Sequence, residues 1–226
     1  MTTPSKAPRG APPLLLVAAG GLAREVLAMV HAHALYDVIG FIDDSPALAN
    51  QTIDGVRVLG SSEIITTYTE AQILVCAGRG AVRERIVTRF ELLDVSPARF
   101  ATAVHPSVEI PDGCHVGAGS IVLGGVVMTT AVTLGRHVVV MPNVTLTHDC
   151  RLQDYATVCA GVTLGGKVEI GHAAYVGMNA SVREGVTVRS NATLGMGSVL
   201  LTDAGPHETW VGAPARPLPP KKTIEQ

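Results

Sequence analysis

A period of six residues runs through the second half of the chain, and few folds accept it. From Val104, every sixth residue as far as Leu200 is aliphatic or Met, seventeen positions in all. The seventeen residues four places further on, Val108 to Ala204, are all small or β-branched. Nothing is inserted or deleted over about 100 residues. One large and one small inward residue per hexad is the pattern of a parallel β-helix. Each hexad supplies a short strand and a corner, and three hexads close a triangular coil of about 18 residues. Coils stack at the parallel-strand spacing of about 4.8 Å. Seventeen hexads give between five and six coils. Gly117, Gly135, Asn143, Gly171 and Gly177 read as corner residues, because Gly and Asn tolerate the backbone conformations that corners need.

Residues 14–103 lack this period. Apolar runs at Leu14–Val17, Val38–Ile42, Val56–Leu59 and Ile73–Ala77 alternate with helical spacing at Leu22–Ala34 and Ala81–Leu92. Alternating strand and helix predict a small parallel, Rossmann-like α/β domain. The expected division is a flexible leader at 1–13, an α/β domain at 14–103, an all-β helix at 104–205 and a tail at 206–226. The leader holds four Pro and two basic residues and leads into a short apolar stretch, unlike a signal peptide. The tail is expected to end extended.

Composition removes several functions. The chain is 47% hydrophobic and 16% charged, too apolar for a disordered protein. A net charge of −2 gives no electrostatic footprint for nucleic acid. No apolar run reaches membrane-spanning length. Four Cys without a CxxC pair suggest neither a disulfide scaffold nor a zinc ribbon. The expected location is the cytoplasm.

A β-helix is a ruler, since residues one coil apart share a face. His148, in Thr147-His148-Asp149-Cys150, is third in its hexad and points outward. One coil on stands Gly166, whose backbone N–H no side chain covers. That pairs a general base with an oxyanion donor, and Asp149 orients or strengthens the imidazole. A second strip, Ala160, Met178 and Met196, is flanked by Gly161, Gly177, Gly195 and Gly197. It offers a long thin ligand an open backbone.

The other His and Cys read more plainly. His105, beside Pro106, is structural, and His31 and His33 suit a helix end. His115, His137 and His172 are expected to be solvated. No two His stand 18 apart, so the three converging imidazoles of a β-helix zinc site are not expected. Cys114 and Cys150 belong to the core, while Cys159 points outward near the candidate site. The Gly20-Gly21 turn is not GxGxxG, so NAD is not expected.

The combination of motifs is more specific. An α/β domain with a glycine turn precedes Val104-His105-Pro106-Ser107, Thr147-His148-Asp149-Cys150 and a closing Val211-Gly212-Ala213-Pro214-Ala215-Arg216. Over about residues 14–216 the chain resembles the sugar acetyltransferases of the sialic acid O-acetyltransferase and UDP-bacillosamine N-acetyltransferase type. The resemblance implies a left-handed β-helix, against the usual right-handed crossover rule, and a homotrimer with sites at subunit interfaces. It implies acetyl-CoA as co-substrate and no metal. It implies His148 as base, Asp149 behind it and Gly166 as oxyanion donor. Acetyl-CoA contacts fall on Thr157, Met178 and Met196, with His standing at position 157 in relatives. The acceptor, a nucleotide-linked amino sugar, falls on Gly20, Gly21, Leu22, Asp43, Asp44 and Gly78. The family turn has Gly where Ala18 stands and His where Leu22 stands. O-acetylation of a sugar or a sialic acid-like acceptor, and a non-catalytic scaffold or binding module, stay open as alternatives.

Overall fold

The computed structural model describes residues 10–219; most of the expected leader, and the end of the tail, lie outside them. The chain opens with β1 (Pro13–Val17), α1 (Gly21–His33), β2 (Asp37–Ile42), β3 (Thr52–Ile53), β4 (Val56–Gly60), β5 (Gln72–Val75) and α2 (Gly80–Leu92). The sheet order is β3-β4-β2-β1-β5, parallel except for β3. Strand order reverses between β1 and β5, which creates a crevice beyond their carboxyl ends. β1 and β5 are buried on both sides. Leu14, Leu16 and Leu74 face α1, while Leu15, Val17 and Ile73 pack with Val87 and Phe90 of α2.

The hexads then wind into three stacks of short parallel strands. The first face runs Ala103–Val104, Ile121–Val122, Val139–Val140, Thr157–Val158, Tyr175–Val176, Thr193–Leu194. The second runs from Val127–Met128 to Val199–Leu200, and the third from His115–Val116 to Thr187–Val188. Partners are 18 apart, as in Thr145↔Thr163. Val140, Leu146, Val158, Leu164, Ile170 and Val176 are fully buried inside. Hydrophobic filling of this kind is the main term holding coils together.

The corners differ from the expectation. Every sixth residue from Gly113 to Gly197 has a positive φ, fifteen in all, and many are not Gly: Ala131, His137, Asn143, Asp149, Tyr155 and Lys167 are among them. Of the residues read as corners, only Asn143 occupies this column. Gly117, Gly135, Gly171 and Gly177 follow the inward aliphatic instead, where a Cβ would strike the backbone of the next coil. They are small because coils approach closely, not because φ is positive.

Other expectations change as well. Ile110 is 44% exposed, because 105–114 forms no strand and winding becomes regular only at His115. The tail is partly structured. Thr209–Gly212 extends the first face and pairs with Ala215–Pro217 in an antiparallel hairpin, with Ala215 buried and Trp210 packed on the last coil.

The two domains share a core. Ile121, Leu123 and Val139 of the first face pack with β1 and α1, and Tyr155 and Ala173 pack with α2. This explains two histidines expected in solvent. His137 is fully buried between Phe100 and Tyr155, stacked on the latter at 5.2 Å between ring centres. Burial, helped by Arg136 and Arg83, lowers its pKa to about 4. His172 Nε2 pairs with Glu84 Oε1 of α2 at 2.9 Å. His105 is structural as expected: its Nδ1 accepts from Ser107 N–H at 3.1 Å, and its Nε2 meets His33 Nε2 at 3.1 Å. Cys159 is buried rather than outward, and burial raises its pKa.

Candidate active site

His148 stands at the corner between the second and third faces. The ladder fixes its backbone: its carbonyl accepts from Lys167 N–H at 2.8 Å, and Asp149 N–H donates to Thr130 O at 3.1 Å. Asp149 holds the left-handed corner conformation, φ 61°, and its carboxylate lies beside the ring. His148 Nδ1 meets Asp149 Oδ2 at 2.8 Å, both side chains about half exposed. The hydrogen bond to His148 holds the Asp149 carboxyl below its ordinary range. An ionised carboxylate only accepts, so Nδ1 carries the proton and Nε2 of the neutral ring keeps a lone pair.

That Nε2 lies against Gly166. A Cβ built on Gly166 would collide with Nε2 and Cε1 of His148, so no other residue leaves room for the ring. The left-handed corner next to it is taken by Lys167, φ 60°. Among the described residues no protein acceptor meets Gly166 N–H. A half-exposed imidazole therefore packs on a glycine whose backbone donor is unspent, the two kinds of group that acyl transfer uses.

The expected donor residues divide. Met178 and Met196 are 48% and 72% exposed, at the corner between the first and second faces. Gly177 lets the coils there approach closely, since its Cβ would meet Met196 N. This corner and that of His148 are different edges of the prism, separated by the second face, whose Val127 and Val199 are exposed. Thr157 departs from the donor role expected of it. It is buried under the N-terminal domain, its hydroxyl donating to Gly78 O at 2.9 Å and accepting from Arg83 Nη2 at 3.0 Å.

Five of the six expected acceptor residues stand just beyond the carboxyl ends of β1, β2 and β5, where the crevice opens. Gly20, Gly21 and Gly78 have open space where a side chain would stand, beside the N-termini of α1 and α2. Asp43 accepts from Ala19 N–H and Ser45 N–H, both at 2.8 Å, and so shapes the turn. Asp44 accepts from Ser62 N–H at 2.7 Å and Arg89 Nη1 at 3.0 Å. Partial burial works to raise its pKa, but these partners outweigh it and hold the carboxyl low. Ala18, Asp43, Asp44, Arg85 and Arg89 border a cavity of about 350 Å³. Leu22 is half-buried and packs into the interdomain core instead. Ala18 adopts φ 70°, a conformation that favours Gly.

Sequence reading missed Arg83, which is fully buried. A signal exists: Gly80, Arg83, Val87 and Phe90 form the buried stripe of α2, so an Arg falls at core spacing. Among the described residues no group of three or more His, Cys, Asp or Glu is arranged to hold a metal, and no helix is long and apolar enough to cross a membrane.

A histidine–carboxylate pair packed on a bare glycine, on a β-helix of hexads, is an arrangement suited to acyl transfer. Comparison with known proteins agrees. Residues 13–90 match the PglD N-terminal domain, and residues 167–202 match the hexapeptide repeat of succinyl-transferase. GDP-perosamine N-acetyltransferase of Escherichia coli O157:H7 is 27% identical over 177 residues, covering 76% of this chain and 78% of that protein. The acetyltransferase domain of PglB from Neisseria gonorrhoeae, solved with acetyl coenzyme A, superposes with a TM-score of 0.84 at 28% identity, covering 92% of this chain and 100% of that one. PerB from Caulobacter crescentus, solved with CoA and GDP-perosamine, shares the fold with a TM-score of 0.83 at 24% identity, over 92% and 97% of the two chains. The chain is an acyltransferase that joins a PglD N-terminal domain to hexapeptide repeats, homologous to GDP-perosamine N-acetyltransferase and to the PglB and PglD type of acetyltransferase.

Proposed function

We propose that the protein transfers the acetyl group of acetyl-CoA to the amine of a nucleotide-linked amino sugar, in the cytoplasm and in the service of glycan synthesis. The observation that carries this reading is the His148–Asp149 pair laid over Gly166. His148 Nε2 takes a proton from the acceptor amine as its nitrogen attacks the thioester carbonyl. Gly166 N–H steadies the oxyanion, the C–S bond breaks, and the proton held by His148 passes to the sulfur, so that CoA leaves as the thiol and the base is restored. Asp149 keeps the ring in the tautomer this needs. Transfer is direct, with no acyl-enzyme.

The crevice at the strand-order reversal, with Gly20, Gly21 and Gly78 around it and Asp43 and Asp44 at its side, supports a nucleotide-bearing acceptor. Two helix N-termini there favour an anion such as a diphosphate. The E. coli relative named for GDP-perosamine and the PglB domain solved with acetyl coenzyme A support the same pair of substrates.

His148 and the Met178–Met196 strip occupy different edges of one chain. A donor that touches both meets them from two subunits, which supports a homotrimer with its sites between chains. The homology to acetyltransferases displaces the scaffold reading, and O-acetylation remains the second reading. Thiol release is measured with acetyl-CoA against GDP-, UDP- and dTDP-linked amino sugars, free sugars and sialic acids, with the product weighed by mass spectrometry. An N-acetylated nucleotide sugar supports the proposal. Turnover confined to hydroxyl acceptors would move it to O-acetylation.

A further inference from the structure

Arg83 makes an unusual set of contacts for a buried charge. From α2 its Nε donates to His137 O at 3.0 Å, and its Nη1 to Ala77 O at 2.7 Å and Gly78 O at 3.1 Å. Its Nη2 reaches Tyr155 O at 2.7 Å, Ala156 O at 3.0 Å and the Thr157 hydroxyl at 3.0 Å. These acceptors come from the end of β5, from the corner between the third and first faces, and from the first face itself. None is a carboxylate. A buried cation with only neutral partners is costly, and apolar packing would join two domains at less expense. The arrangement therefore does more than glue.

What it grips is the wall of the crevice. The Gly78 carbonyl receives two bonds, one from Arg83 and one from Thr157, while open space lies over the Gly78 Cα. The peptide that borders the crevice is thus pinned from beneath and bare above. Thr157 is at the boundary on the first face. Val139, one coil below, is buried in the shared core. Tyr175, one coil above, is partly open and carries the Arg79 guanidinium 4.9 Å from its ring centre. The guanidinium of Arg83 stays cationic at neutral pH, although burial lowers its pKa to about 10.

We propose that Arg83 and Thr157 are positioning residues for the acceptor, holding the Gly78 wall of the crevice in register with the β-helix. The proposal rests on the reading of the crevice as the acceptor site. It gives Thr157 a different role from the acetyl-CoA contact expected of it.

Thr157→Val keeps the shape and removes the hydroxyl, and Thr157→Ser restores it. Acceptor KM and acetyl-CoA KM are measured for both, with calorimetric Kd values for GDP, UDP, dTDP and acetyl-CoA. Thr157→Val is expected to raise the acceptor KM and the Kd of the matching nucleoside diphosphate by about three- to tenfold, the scale of one net hydrogen bond. The acetyl-CoA values stay within about twofold, and Thr157→Ser returns the acceptor values towards wild type. Arg83→Lys, which keeps the charge but loses the fork, shifts the acceptor values in the same direction. If Arg83→Lys does not fold, the Thr157 pair decides alone. A rise in acetyl-CoA KM with acceptor KM unmoved, or no change in either, overturns the proposal. A wild-type protein that binds no nucleoside diphosphate and turns over no nucleotide sugar overturns the acceptor reading and the proposal together.

Discussion

Gly166→Ala isolates the geometry of the site from its chemistry. The substitution adds one methyl group at a position whose φ is ordinary, so the backbone accepts it. That methyl would occupy the space of His148 Nε2 and Cε1 and come within 2.9 Å of Cδ2. The ring must turn away. Turning breaks the 2.8 Å bond from Nδ1 to Asp149, carries Nε2 from its place against Gly166 and leaves the tautomer unguided. A positioned base contributes about 10²–10⁴ in rate. Displacing it while leaving it present is expected to cost most of that, about 10²–10³ in kcat. Thiol release from acetyl-CoA measures the loss, and thermal unfolding checks that Tm moves by no more than about 4 °C, the scale of 1 kcal/mol in a chain of this size. A folded Gly166→Ala enzyme with kcat near wild type would refute the packing of His148 on Gly166.

Acid should loosen the joint between the domains. His137 has a pKa of about 4 in the folded chain against an ordinary 6.5, so folding favours the neutral ring. Its contribution is complete above pH 6.5 and is lost as pH falls from there to 4, about 3 kcal/mol at ~1.4 kcal/mol per pH unit. Denaturant unfolding of wild type and His137→Asn, a residue that tolerates the same left-handed corner, should converge by that amount between pH 7 and 4. A pH-independent gap would contradict the burial argument. Ala18→Gly should relieve the cost of φ 70° and raise stability by about 1 kcal/mol, or Tm by about 2–4 °C; an unchanged or lower Tm in a thermal scan would argue against strain in that turn.

The fold of the second half was legible because six-residue spacing maps directly onto inward and outward positions. The same arithmetic put Gly166 one coil from His148, and the structure brings the two together. The arithmetic does not say which residue of a hexad takes the left-handed corner. Gly135 and Gly171 therefore read as turns, although they are close-approach positions. Nor does it reveal what covers a face. His137, His172 and Thr157 point outward from the β-helix as their positions require, but the N-terminal domain lies over them. Contacts between domains far apart in sequence leave only faint local traces, such as Arg83 in the buried stripe of α2.

His148→Ala tests the central claim most directly. Thiol release with a competent acceptor gives kcat, and calorimetry gives acetyl-CoA affinity. The expected result is a fall in kcat of about 10²–10⁴ with acetyl-CoA binding nearly unchanged. A variant that keeps close to full turnover would contradict the assignment of His148 as the base.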